Sequence, residues 1–448
     1  MAPFPLITRS PSAKKRFSSA ILPPSIAKNH PHPAEGNEFS SNSAGFSHPS
    51  PPAKLKRVLG LFDSTAIEIG AIIGAGIFVV IGVAASVAGA GLIYSLLIAG
   101  AISYITALGY AELSKRIPRE GGEYEFAYKV ISHRAGFIDG VLWSASTIIS
   151  GAVISLGFAN YFVVLYPGLD HKLIAFAIIA FMAFVNILGL KRSSYINEAL
   201  VVAKLAILIF FIYFGIGQVQ QANFAMDADF DWRGILQGAA IIFFAFAGFG
   251  RSATVAEEIR NPQSTVPRAI LLALTVCTTI YVLTAFTALG LVGANALAIS
   301  GAPIADAISF AGSRYAVILV AIGALAATGS VLLTEIVGVS RITYSMARNR
   351  QLPSFLSKLH GKYGTPYVSI AISSILMAVL ALFVDFKQVI ELSSFGLLGY
   401  YAVTNLSAFM MEREESVWKN IHKARALLGL LSCMALMFYL ANILLSGG

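Results

Sequence analysis

Four ionisable side chains lie inside long apolar stretches of the sequence: Glu68, Lys204, Arg251 and Glu335. A charge at the centre of a membrane helix costs at least about 2.5–3.5 kcal/mol, so each is a candidate functional residue. Lys204 lies roughly 12 Å from the nearer end of its stretch, at 1.5 Å per helical residue. That depth is the limit of what a lysine bridges by extending to the membrane surface, so a functional role is favoured over snorkelling.

Two glycine pairs interrupt the apolar stretches that contain Glu68 and Arg251, at Gly74 and Gly76 and at Gly248 and Gly250. Glycine costs about 1 kcal/mol relative to alanine in a helix, and it adopts backbone angles that other residues avoid. Either pair taken alone is better explained by close packing of membrane helices than by a break. The positions of the two pairs in the whole chain must therefore decide.

The elements around these residues are membrane helices. Of the 448 residues 56% are hydrophobic and only 12% are charged, whereas soluble domains carry about 25% charged residues. About eleven stretches reach the roughly 20 apolar residues that a transmembrane helix requires. The sequence thus predicts an all-α integral membrane protein. The seven histidines lie in the first segment or in loops, so a membrane-embedded enzyme is not expected, and without a cluster of ligands neither is a metal site. The excess positive charge lies in the first segment and in loops, so nucleic-acid binding is not expected either.

Loop charges predict the orientation, because the side rich in lysine and arginine is cytoplasmic. The N-terminus is then inside and the C-terminus outside. Residues 1–57, rich in proline and serine, are predicted to be a disordered cytoplasmic tail. Residues 58–217 and 218–411 form two repeats of five helices each, and 412–448 form a loop and an extra eleventh helix. Because each half has an odd number of spans, the halves have opposite orientations, as in inverted-repeat transporters.

The glycine pairs lie in the first and the sixth span, which are equivalent members of these two halves. Interrupted helices at matching positions are the best sequence indicator of a binding site near the bilayer midplane. The freed backbone groups cannot be satisfied by lipid. Freed N–H groups at a helix N-terminus attract a carboxylate, and freed carbonyls attract an ammonium. A zwitterion is the ligand that suits this geometry.

After residue 57 the chain resembles the amino acid–polyamine–organocation (APC) superfamily, closest to its proton-coupled, broad-specificity members. Five motifs in order carry the resemblance: 70–78, 110–113 with 117–124, 256–263 with 266–270, 341–353, and 364–366. The resemblance implies an inverted five-plus-five helix repeat (LeuT-like), a substrate at the midplane and alternating access. Most members have twelve spans, so the predicted stop after the eleventh is a departure from the family.

Carried over by position, the predicted substrate-binding residues are Ile72, Gly74, Ala75, Gly76 and Ile77 in the first helix and Phe244, Ala245, Ala247, Gly248 and Phe249 in the sixth. The resemblance implies that the carboxylate meets the N–H groups of residues 75–77. The amino group would meet carbonyls of Ile72 and of residues 244, 245 and 247. Phe244 and Phe249 are candidate gates.

Lys204 aligns with a fifth-helix lysine of proton-coupled members, whose ammonium occupies the place of sodium in sodium-coupled relatives. The resemblance places it beside first-helix carbonyls near Gly70 and eighth-helix residues near Gly329 and Ser330. Burial disfavours a charged amine, so Lys204 is predicted to carry the coupling proton. For Glu68, Arg251 and Glu335 two alternatives stay open: a salt-bridged cluster that braces an inner gate, or a proton path or site that biases the substrate's charge.

The predicted function is a proton-coupled amino acid symporter of the plasma membrane. Its partners would be the amino acid, the proton and the lipid bilayer; its energy source would be the proton gradient, with no cofactor. The alternatives are an amino acid exchanger, a polyamine carrier, or a sensor that binds amino acids without transporting them. Which amino acids are carried, and the oligomeric state, are not predicted.

Overall fold

A computed structural model describes residues 57–117, 122–189, 194–225, 231–411 and 419–446. The predicted N-terminal tail, apart from Arg57, and part of the loop that opens the predicted last segment lie outside these residues. Within the described ranges the fold is helical, and the one extended pairing is an isolated bridge between Leu59 and Ile259. The all-α class predicted from the sequence is confirmed.

The α-helices, numbered in chain order, are α1 Leu61–Ile72, α2 Ile81–Ala88, α3 Leu92–Arg116, α4 Gly122–Val130, α5 His133–Leu165, α6 His171–Ile187, α7 Ser194–Gly215, α8 Trp232–Ile242, α9 Pro262–Ile299, α10 Pro303–Ser309, α11 Arg314–Arg348, α12 Tyr367–Phe383, α13 Phe386–Met410 and α14 Lys419–Ser446. A π-helix, Gly76–Val80, precedes α2, and two 3₁₀-helices, Phe243–Phe246 and Arg251–Glu258, follow α8.

Among the described residues, seven helical segments are long and apolar enough to cross a membrane, and two shorter helices, α6 and α12, are also apolar. One of the seven runs from Leu61 to Arg116 and contains α1, α2 and α3. The chain is therefore a multi-pass membrane protein. The number of eleven spans stays a prediction, because this finding rests on length and composition.

Side-chain caps fix where several helices begin. Asp170, Asp231 and Asp385 each accept hydrogen bonds from backbone N–H groups in the first turn of α6, α8 and α13. Ser132 and Ser313 do the same for α5 and α11. Such caps contribute about 1 kcal/mol each by satisfying N–H groups that have no partner inside the helix. At Asp170 the N–H groups of Leu173 and Lys172 lower the pKa of the carboxyl group.

The core surrounds the two glycine pairs. Helix α5 packs against α11 and α13, α3 packs against α9, and α1 packs against α7 and α9. Every residue from 72 to 82 is buried, as is every residue from 238 to 246. Backbone that lies this deep in a membrane protein must find its hydrogen-bond partners inside the protein or on a ligand.

Candidate functional site

The first break lies between α1 and the π-helix. Helix α1 ends at Ile72, and Ile73 has φ −76° and ψ 100°, which is extended backbone. Helical structure resumes at Ala75 and continues as the π-helix Gly76–Val80. Single π-turns are rare in proteins, but those that occur often lie at functional sites. The first N–H groups of a helix have no intrahelical partner. The N–H groups of residues 75–77, which are predicted to bind a carboxylate, lie at the start of this second half-helix.

The second break follows α8. The 3₁₀-helix Phe243–Phe246 is followed by Ala247, which has ψ 147°. Gly248 and Gly250 then have φ +103° and +94°, in the left-handed region that favours glycine. The chain resumes as the 3₁₀-helix Arg251–Glu258. Both glycines of this pair are thus required by the backbone conformation.

Glycines of both pairs allow the two breaks to lie in contact. A Cβ atom on Gly76 would lie 2.3 Å from Cα of Ala245, and one on Gly248 would lie 2.9 Å from the carbonyl oxygen of Ala71. Gly74 packs on α11, where a Cβ atom would lie 2.9 Å from Cγ2 of Val331. Both explanations that the sequence allows, a helix break and close helix packing, therefore apply to these glycines.

Glu68 of α1 satisfies the backbone where the sixth helix resumes. Its Oε2 accepts from the N–H groups of Gly250 (2.8 Å) and Arg251 (3.1 Å). Its Oε1 accepts from the N–H of Ser252 (2.9 Å) and from the Ser252 hydroxyl. The side chain is fully buried. A carboxylate of the protein itself thus fills the anion site at the N-terminus of this half-helix.

Lys204 of α7 holds the C-terminal end of α1. Its Nζ donates to the carbonyl oxygens of Gly70 and Ile73, both at 3.0 Å, and the residue is only 2% exposed. These carbonyls belong to the C-terminal end of α1, where the helix dipole is negative and attracts a cation. Ser330 of α11, predicted nearby, donates to the carbonyl of Ala327.

Three buried tyrosines donate to backbone carbonyls at the breaks. The hydroxyl of Tyr281 donates to Ile72 (2.9 Å), that of Tyr161 to Phe78 (2.5 Å), and that of Tyr110 to Gly250 (3.2 Å). None of the three is among the residues predicted from the sequence, although a tyrosine inside an apolar stretch is a signal, because a buried hydroxyl needs a partner. The Ile72 carbonyl, predicted to bind the amino group, retains a second lone pair for a ligand.

Arg251 and Glu335 form an ion pair with an N–O distance of 3.1 Å. The guanidinium also lies 5.9 Å from the ring centroid of Trp143. The structure thus brings Arg251 and Glu335 together by their side chains, whereas Glu68 contacts the backbone of Arg251 and its neighbours. The three charged residues therefore form one ion pair and one backbone cap, and both alternatives predicted for them, a brace of the inner gate and a proton path or charge-biasing site, stay predictions.

A cavity of about 40 Å³ lies beside this ion pair. It is lined by residues 247–251 of the second break, by Trp143, Thr147 and Ser150 of α5, by Glu335 of α11, and by Leu397, Tyr400 and Tyr401 of α13. An enclosed apolar cavity of about 150 Å³ accommodates benzene. In this conformation the space therefore accommodates waters or a small group rather than a whole amino acid.

Comparison with known proteins places this arrangement in a family. The model of the family described as amino acid permease matches residues 59–447. The chain belongs to this family. It is 34% identical over 391 residues to an uncharacterized transporter of Mycobacterium tuberculosis, covering 87% of each chain. Two Bacillus subtilis proteins are similar: a methylthioribose transporter is 30% identical (80% of this chain, 82% of the relative), and a branched-chain amino acid permease is 29% identical (81% and 82%).

The amino acid permease family is part of the APC superfamily, so the resemblance found in the sequence is confirmed and the chain is a transporter rather than an enzyme. Of the two candidate gates of this permease, Phe249 stacks on Tyr401 at 4.5 Å between ring centroids and lies edge-on to Tyr110 at 6.2 Å. Phe244 is 6% exposed. Phe249 lies in the wall of the cavity, and its role as a gate stays a prediction.

Proposed function

We propose that this permease is a proton-coupled symporter that moves amino acids across the plasma membrane by alternating access. The proposal includes the inverted five-plus-five repeat, about eleven spans and a cytoplasmic N-terminus. The observation that carries it is the buried Lys204 ammonium, held by the carbonyls of Gly70 and Ile73. In this proposal the charge of Lys204 determines how firmly the C-terminal end of α1 is held against α7.

The proposed substrate site uses the two breaks unequally. Glu68 already occupies the N–H groups at the start of the sixth helix's second half. The substrate carboxylate therefore binds the remaining half-helix N-terminus, at residues 75–77, and the amino group binds carbonyls of Ile72 and of residues 244, 245 and 247. The family description and the branched-chain amino acid permease among the relatives support an amino acid as the substrate.

Coupling follows from the hydrogen bonds of Lys204. An ammonium makes charge-assisted hydrogen bonds, which are roughly twice as strong as bonds between neutral groups. When Lys204 loses its proton, its attraction to the C-terminal carbonyls of α1 weakens, and α1 separates more easily from α7. Proton release and movement of α1 are then one event, and the proton gradient supplies the energy for uptake.

The test uses purified protein in lipid vesicles and variants of one residue. Lys204→Met keeps the length of the side chain and removes the charge, whereas Lys204→Arg keeps a charge that is not lost in proteins. The wild-type protein is expected to accumulate amino acids when the outside is acidic, up to about tenfold per pH unit for one proton per substrate. Lys204→Met should equilibrate substrate without accumulating it, and Lys204→Arg should bind substrate with little net transport.

The control is uptake in the same vesicles after a protonophore removes the gradient. Accumulation by Lys204→Met that still collapses with the protonophore would contradict the role of Lys204. Uptake that requires amino acids inside the vesicle and ignores the pH gradient would identify an exchanger. Binding of labelled amino acid without uptake would identify a sensor. Methylthioribose and a polyamine serve as comparison substrates in the same assay.

A further inference from the structure

The cavity beside the second break is lined by the Arg251–Glu335 ion pair, which has no part in binding the substrate's carboxylate and amino groups. Residues 247–251 form one wall of the cavity, and Ala247 is also one of the residues proposed to bind the amino group, so the cavity adjoins the proposed substrate site. The side chains of Arg251 and Glu335 are 19% and 12% exposed. A charged pair in such a partly buried position is costly to form, and neither the carboxylate site nor Lys204 requires it.

Arg251 is held in place from several sides. Its backbone N–H donates to Glu68, its guanidinium donates to Glu335, and Trp143 lies beside the guanidinium. Gly338 completes the setting, because a Cβ atom there would lie 3.1 Å from Nη1 of Arg251 and 3.0 Å from the Trp143 ring. Because Gly338 has no side chain, the guanidinium has room to lie against α11.

From this arrangement, and resting on the proposed amino acid transport, we infer that the Arg251–Glu335 pair is a charge filter that restricts the permease to amino acids with uncharged side chains. The paired charges present no net charge to the cavity. A cationic or anionic side chain that enters must lose its hydration and then compete with a partner already bound at 3.1 Å. An uncharged side chain has neither cost, and exclusion of wrong ligands by such costs is a general source of specificity.

The inference predicts that selectivity follows the charge left in the cavity. Glu335→Gln removes the carboxylate while arginine keeps its charge at every accessible pH. The cavity then gains a net positive charge and favours anionic side chains. Arg251→Gln leaves Glu335, and favours cationic side chains in the same way. The reciprocal exchange, Arg251→Glu with Glu335→Arg, restores a neutral cavity.

The experiment presents all twenty standard amino acids together to vesicles that contain the full-length protein, and measures the vesicle contents by mass spectrometry. The wild-type protein should take up uncharged amino acids and exclude Asp, Glu, Lys and Arg. Glu335→Gln should raise uptake of Asp and Glu relative to the uncharged set at least tenfold, which corresponds to about 1.4 kcal/mol. The exchanged double variant should return to the wild-type profile, and Glu125→Gln on α4 should keep it.

Wild-type uptake of lysine or glutamate as readily as uncharged amino acids would overturn the inference. So would a Glu335→Gln profile that falls equally for all amino acids, because a purely structural brace predicts that result. If Glu335→Gln does not fold, Arg251→Gln provides the opposite test: it should raise the uptake of Lys and Arg relative to the uncharged set, and an unchanged profile would refute the filter. Wild-type vesicles that take up no amino acid at all would instead refute the proposed function.

Discussion

Replacing Glu68 by glutamine tests whether this carboxylate holds the second break together. The two oxygens of Glu68 accept three backbone N–H groups and one hydroxyl. The best orientation of a glutamine places its amide nitrogen at the position of Oε1, where the Ser252 hydroxyl turns to accept. The N–H of Ser252 then has no acceptor there, whereas those of Gly250 and Arg251 still face an oxygen.

The magnitude follows from these contacts. A buried N–H left without its acceptor costs about 1–3 kcal/mol, and each of the two retained hydrogen bonds weakens by about 1 kcal/mol when a neutral oxygen replaces a charged one. The sum of about 3–5 kcal/mol is an upper bound, because a neutral amide costs less to bury than a carboxylate. Glu68→Gln should therefore destabilise the protein clearly, and Glu68→Ala should destabilise it more.

The assay is reversible unfolding by sodium dodecyl sulfate in mixed micelles, followed by the fluorescence of the three tryptophans. The control is Glu125→Gln, since Glu125 forms a partly exposed pair with Lys129 on α4 (3.0 Å), and such a pair contributes about 0.5 kcal/mol or less. A Glu68→Gln protein as stable as this control would refute the reasoning. That result would mean that the carboxyl group already carries a proton when it caps the half-helix.

Two further substitutions test the breaks directly. Gly76→Ala should abolish transport, because its Cβ would lie 2.3 Å from Cα of Ala245; Gly361→Ala, which meets nothing within 4 Å, should leave transport rates unchanged in the same vesicle assay. Tyr161→Phe should loosen the contact between the π-helix and α10, because the Tyr161 hydroxyl also accepts from the N–H of Ile304 (3.3 Å). Faster labelling from outside of a cysteine introduced at position 77 would show it, and unchanged labelling would contradict it.

The sequence allowed the positions of both breaks to be predicted, because a glycine pair in an apolar stretch is conspicuous and the two pairs occupy equivalent spans. It did not indicate what satisfies the freed backbone. Glu68, Arg251 and Glu335 all lie in the predicted cytoplasmic halves of their spans. Which of the two carboxylates meets the guanidinium depends on the rotation of α1 and α11 about their axes, which the sequence does not indicate. Tyr281 could not be predicted for the same reason, since its hydroxyl on α9 reaches the Ile72 carbonyl on the neighbouring helix α1.

Helix α1 is attached differently to the sixth helix and to α7, and this difference determines which of the two contacts the proposed proton release would weaken. Towards the sixth helix it is attached twice: Glu68 caps residues 250–252, and the N–H groups of Val58 and Leu59 donate to the Glu258 carbonyl. Towards α7 it is held by the hydrogen bonds of Lys204. If Lys204 carries the proton, its release weakens the α7 contact and leaves the sixth-helix contacts unchanged. Helix α1 and residues 251–258 should then leave α7 as one unit. The distance between spin labels on α1 and α7 should increase with the pH, while that between α1 and residues 251–258 stays constant.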